Sequence, residues 1–132
     1  MEIGIFFNKD FFPSQIFTNF GIIKINHKMN LNQEDWVNQL NQDSNIIILD
    51  VRTEEECNEG IIPNAIQLDI RKSNEFLSAI QEFDKTKNYY VYCRSGARSE
   101  QACSVMNQLG IINAYNLLGG MMQWQGEVTI PE

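Results

Sequence analysis

The stretch Tyr92-Cys93-Arg94-Ser95-Gly96-Ala97-Arg98-Ser99 sets a nucleophile, two guanidinium groups and a glycine side by side. Free cysteine ionises near pH 8.5, and a helix N-terminus or an adjacent arginine lowers that value substantially. If Arg94 to Arg98 curl around the sulfur, their backbone N–H groups converge on one point and form a cradle for negative charge. Gly96 permits the tight turn, and the dipole of a following helix strengthens the field. Cys93 is thereby expected to be a thiolate at neutral pH, a nucleophile that needs no general base. The chain has a single histidine, His27, which leaves little support for a histidine-assisted hydrolase or a His-rich zinc site. Cys57 and Cys103 lack such surroundings and form no CxxC pair, so both are expected to be packing residues.

This chemistry needs a cysteine at the end of a buried strand and arginines at the start of a helix. Residues 89–92 are aromatic and β-branched, as an inner strand requires. A helix is expected from about 97 to 109, with Ala102, Cys103, Met106 and Leu109 facing inward and Gly110 ending it. Residues 46–49 are a continuous apolar run suited to a parallel strand covered on both faces. A short acidic helix at 54–59 follows, stopped by Gly60 and Pro63, and 65–68 is a further strand candidate. Phe76, Leu77, Ile80 and Phe83 share one helical face, as do Trp36, Val37 and Leu40 behind a cap at Asn30 or Asn32. Residues 21–25 read as a short edge strand and about 114–117 as a further strand, and Gly119-Gly120 opens a last short helix carrying Trp124. Strands alternating with helices predict an α/β fold: an open, mostly parallel sheet of about five strands with helices on both faces. In such sheets ligands bind outside the carboxyl ends of the strands, where Cys93 falls.

Leu49-Asp50-Val51-Arg52, Glu56, Gly60, Ile62-Pro63 and Ala65 resemble the DVR-x-x-x-E-aromatic-x-x-G-H-I-P-G-A signature of rhodanese domains. Cys93-Arg94-Ser95-Gly96-Ala97-Arg98 resembles the rhodanese active-site loop, and Gly119-Gly120 with Trp124 resembles the closing G-G-x-x-x-W element. The resemblance spans about residues 21–126. It implies a single-domain sulfurtransferase of the thiosulfate type, which passes a sulfane sulfur through a cysteine persulfide. On that reading Cys93 accepts the sulfur, and the amides of Arg94, Ser95, Gly96, Ala97, Arg98 and Ser99 cradle the persulfide and the departing sulfite. Asp50 would brace the loop from the neighbouring strand end, and Arg52 with Glu56, four residues apart, would form a local ion pair. Ile61, Asn64 and Cys57 stand where the family usually has histidine, glycine and an aromatic. Glu56 stands where some two-domain rhodaneses have a basic residue; an acid pointing at the site weakens thiosulfate binding.

Phosphatases and arsenate reductases use a related loop, C-x5-R, whereas here the spacing is C-x4-R and the next residue is Ser99. A tetrahedral phosphate needs the larger ring of amides, and the shorter loop suits one sulfur atom bonded to the cysteine. A non-catalytic rhodanese module, or a persulfide carrier docked to another protein, is the other alternative; the presence of Cys93 argues against the inert version. With 10 basic against 17 acidic residues the formal charge is −7, which disfavours nucleic acid as a partner. No stretch approaches the roughly 18 apolar residues of a membrane span. The expected partners are a small anionic sulfur donor and a thiol or protein acceptor, with no metal or cofactor, in the cytoplasm. Residues 1–20 hold six of the chain's 8 phenylalanines. They are expected to be an extension, loosely packed or disordered, or a start-site artefact if translation begins at Met29, and residues 21–132 to be the domain.

Overall fold

The computed structural model describes residues 15–18, 21–24 and 28–132; residues 1–14 of the expected extension, Ile25 and His27 lie outside the described residues. In chain order the elements are β1 (Gln15–Thr18), β2 (Gly21–Lys24), β3 (Asn30–Leu31), α1 (Gln33–Gln42), β4 (Ile46–Asp50), α2 (Glu54–Asn58), β5 (Ile66–Gln67), α3 (Ser73–Gln81), β6 (Asn88–Tyr92), α4 (Ala97–Gln108) and β7 (Ala114–Leu117). A 3-10 helix over Gly120–Gln123 follows.

Five strands form one sheet in the order β3-β7-β6-β4-β5, and every neighbouring pair in it is parallel. The fold is α/β, with helices packed on both faces, as the alternation of apolar runs predicts. Side-chain alternation assigns the faces. Tyr89, Val91 and Cys93 turn toward Phe76 and Ile80 of α3 and Ala102, Cys103 and Met106 of α4. Tyr90 and Tyr92 turn the other way, toward Trp36 of α1 and Trp124 after the 3-10 helix. Trp36 is fully buried, meets Tyr90, Tyr92 and Trp124 edge to face, and donates its indole N–H to the Tyr115 carbonyl at 3.1 Å. Asn32 caps α1 through its side-chain oxygen, which accepts from the Asp35 N–H at 2.8 Å.

One strand departs from expectation. Gly21–Lys24 is a strand, but it pairs antiparallel with Gln15–Thr18 in a separate two-stranded sheet, so it is not the edge of the parallel sheet. That edge is Asn30–Leu31, parallel to β7 and too short to carry a period-2 signal. Leu77, placed on the inward face of α3 by spacing alone, is 40% exposed, while Phe76 and Ile80 carry the contact.

Candidate active site

Cys93 follows the last residue of β6, the middle strand of the sheet, and α4 starts four residues later. Gly96 turns the chain between them with φ +105°, the left-handed region that glycine enters without a Cβ clash. No side chain caps α4, so its leading N–H groups remain available as donors. The Gly96 N–H donates to Cys93 Sγ at 3.1 Å, and the Ser99 hydroxyl approaches the same sulfur at 3.3 Å. Burial disfavours a charged sulfur here. The bonds from the Ser99 hydroxyl and from the N–H groups of Ser99, Gly96 and Ser95 outweigh that burial, and the thiol is held below its ordinary value. Cys93 is 0% exposed, so its sulfur is reached only if part of the surrounding shell moves. Arg94, Ser95 and Ala97 form the exposed rim of the loop. A groove lined by Val37, Leu40, Ile62, Met122 and Trp124 reaches the loop at Ser95.

A second backbone segment fixes the loop from beneath. The Met121 N–H donates to the Cys93 carbonyl at 3.0 Å and the Met122 N–H to the Arg94 carbonyl at 2.9 Å. The contact is close enough that a Cβ on Gly120 would stand 2.5 Å from the carbonyl oxygens of both Cys93 and Arg94. The Gly-Gly turn therefore supports the backbone of Cys93 and Arg94. Among the described residues no group of three or more His, Cys, Asp and Glu side chains could hold a metal ion, and no helix is long and apolar enough to cross a membrane.

The rhodanese-like domain model matches residues 33–127, a span that holds the cysteine loop and the turn supporting it. The chain belongs to the rhodanese-like domain family. A sulfurtransferase of Allochromatium vinosum is 35% identical over 94 residues, which are 71% of this chain and 85% of that protein. A rhodanese-like domain protein from Staphylococcus aureus, known from its crystal structure, matches with a TM-score of 0.67 and 31% identity, covering 80% of this chain and 100% of that one. A tRNA uridine(34) hydroxylase of Legionella pneumophila is 33% identical over 119 residues, 85% of this chain but only 46% of the hydroxylase. The relatives named sulfurtransferase support sulfurtransferase activity in general for this rhodanese-like domain.

Two expected pairings around the rhodanese loop are corrected by the structure. Arg52 does not pair with Glu56. It pairs with Asp50 at 2.7 Å, donates to the Gly60 carbonyl at 2.8 Å and lies 5.6 Å from the Tyr92 ring centre. The reason is local: Arg52 precedes α2, which starts at Glu54, so helical i,i+4 spacing does not apply to it. Asp50 therefore braces the buried Arg52 and its own strand end, and does not reach the cysteine loop. Burial alone would lower the Arg52 pKa, but its bonds to Asp50 more than offset this and raise it.

Glu56 instead joins the loop, accepting from both terminal nitrogens of Arg98 at 2.8 Å each. That bidentate pair, helped by bonds from Thr53, holds the Glu56 carboxyl down to about 2. Glu56 and Thr53 also complete a capping box on α2, and the Thr-x-x-Glu pattern that marks such a box is visible in the sequence. Cys57 and Cys103 are free, buried thiols; burial pushes both up, Cys57 to about 12. None of the sequence motifs includes Asn116. It is 0% exposed on β7, and its signal is a lone amide inside an apolar strand.

Proposed function

We propose that this chain is a thiosulfate-type sulfurtransferase that carries sulfane sulfur on Cys93. The observation that supports this reading most strongly is the convergence of the Gly96 N–H and the Ser99 hydroxyl on one sulfur at 3.1 and 3.3 Å. In the first half-reaction the Cys93 thiolate attacks the outer sulfur of thiosulfate. A new S–S bond forms at Cys93, the S–S bond of thiosulfate breaks, and sulfite leaves with the bonding electron pair. An acceptor thiolate then attacks the outer sulfur of the persulfide, and Cys93 departs as the thiolate. Donors already aimed at the sulfur stabilise the charge on it in both steps without reorganising.

The charges on the loop shape the choice of donor. Arg98 is neutralised by Glu56, which leaves exposed Arg94 as the loop cation free to meet a small anion. Arg94, Ser95, Gly96, Ala97, Arg98 and Ser99 bind the donor mainly through backbone N–H groups, with Asp50, Arg52 and Glu56 as supports. The proposed acceptor is a small thiol or a protein cysteine. We assign the activity to the cytoplasm, where thiols stay reduced, with residues 1–20 an extension that takes no part in the transfer.

Paired assays test the reading. The protein is expected to transfer sulfur from thiosulfate to cyanide or a dithiol, and to give no turnover of an aryl phosphate. Cys93→Ser is expected to abolish transfer while the circular dichroism spectrum stays unchanged. Aryl phosphate hydrolysis without sulfur transfer, or transfer surviving in Cys93→Ser, contradicts it.

A further inference from the structure

The Ser99 hydroxyl has one proton and two acceptors. It approaches Cys93 Sγ at 3.3 Å, and it bonds Asn116 Oδ1 at closer range. Ser99 and Asn116 are each 0% exposed, so bulk solvent does not relieve this competition. The orientation of the Asn116 amide is fixed by its other end. Its Nδ2 donates to the Asn30 side-chain oxygen at 2.8 Å and to the Gly96 carbonyl at 3.2 Å, and both of these groups only accept. Asn30 is oriented in turn, because its own nitrogen donates to a Glu100 carboxylate oxygen at 2.9 Å. The result is a directed chain running from an exposed carboxylate on α4, across β3 and β7, to the buried sulfur.

We infer that Asn116 is a positioning residue that competes with Cys93 for the Ser99 proton and thereby sets how readily Cys93 becomes a thiolate. With Cys93 protonated, every bond in the chain is satisfied: the thiol donates to Ser99 Oγ and the Ser99 hydroxyl donates to Asn116. Ionisation of Cys93 turns the Ser99 proton toward the sulfur and leaves Asn116 Oδ1 buried without that donor. An unsatisfied buried acceptor is costly, so this loss offsets part of what Ser99 contributes to the thiolate. The charged and titratable groups that act on Cys93 from the packed elements are Arg98 and Cys103 of α4. Arg98 is itself faced by Glu56 and Asp69, Cys103 is faced by Glu100, and Arg94 stands on the exposed rim of the loop.

The inference rests on the reading of Cys93 as the nucleophile, and its test is independent of sulfur transfer. The apparent pKa of Cys93 is read from the pH dependence of its alkylation by iodoacetamide, followed on the Cys93 peptide by mass spectrometry. Asn116→Leu removes the competing acceptor at similar volume, and the pKa is expected to fall by about one unit, a roughly tenfold larger thiolate fraction below both values. Ser99→Ala is expected to raise the pKa. The double variant is expected to match Ser99→Ala alone, because Asn116 acts only through the Ser99 proton. If Asn116→Leu does not fold, Asn30→Ala gives the same reading from a half-buried edge position, with a smaller fall as the amide loses one of its two orienting acceptors. An unchanged or raised pKa in the folded variant, or the same shift with and without Ser99, overturns the inference. A protein that takes no sulfur but shows the predicted order of pKa values contradicts the proposed function and leaves this inference standing.

Discussion

Glu56 reaches Arg98 with both carboxylate oxygens across 42 residues of sequence, and that one pair joins the signature after β4 to the cysteine loop. Its pKa falls from 4.5 unfolded to about 2 folded, so its contribution to stability is complete above about 4.5 and is lost as the pH drops through about 2. Glu56→Gln is therefore expected to lower stability at neutral pH and to flatten the loss of stability between those two values, read by urea unfolding at a series of pH values. The same variant releases Arg98 as a loop cation, and the KM for thiosulfate is expected to fall by severalfold or more at neutral pH. A KM that rises would mean that Arg98 serves the donor only while Glu56 holds it in place. At this scale the sequence disclosed residue types better than partners. Cys93, Gly96 and Ser99 meet as the loop motif suggests, whereas Glu56 chose Arg98 over Arg52. Partners distant in sequence depend on how β4 and β6 lie side by side, and spacing carries no information on that.

The 3-10 turn holds the cysteine loop, and α1 packs the opposite face of the sheet. Gly120 has φ +53°, and any side chain there meets the Cys93 and Arg94 carbonyls. Gly120→Ala is expected to cost on the order of 1–3 kcal/mol of stability, through left-handed strain together with the clash. It is also expected to reduce sulfur transfer strongly, because displacing the loop by about 1 Å can cost on the order of a hundredfold. Retention of full activity at wild-type stability would show that the turn does not hold the loop. On the opposite face, Trp36→Ala removes the largest buried side chain and is expected to cost about 3–5 kcal/mol in urea unfolding, with the Cys93 pKa little changed because Trp36 packs on the side of the sheet away from the sulfur. The long elements were legible: apolar runs gave β4 and β6, and the spacing of Phe76 and Ile80 gave α3. β5 forms inside the 65–68 strand candidate, whereas the two-residue β3 exists because β7 supplies its partner, and nothing in Asn30 and Leu31 themselves demands a strand.

For the molecule as a whole, the strand order β3-β7-β6-β4-β5 makes β6 the central strand and puts its carboxyl end between the β4 signature and the β7 turn. The three sequence motifs, separated along the chain, thus meet at the cysteine loop, the first through the Glu56–Arg98 pair and the last through the Cys93 and Arg94 carbonyls. Alternation of strand and helix in the sequence predicts the layers. It does not predict the order of strands, nor that Gly21–Lys24 pairs with Gln15–Thr18 outside the main sheet. We propose that this arrangement holds a sulfur atom on Cys93. The most direct test is mass spectrometry of the peptides after incubation with thiosulfate and removal of excess donor. The peptide containing Cys93 is expected to gain the mass of one sulfur atom and to lose it on addition of cyanide, while the Cys57 and Cys103 peptides stay unchanged. No added sulfur on Cys93, or sulfur found on Cys57 or Cys103 instead, would contradict a Cys93 persulfide.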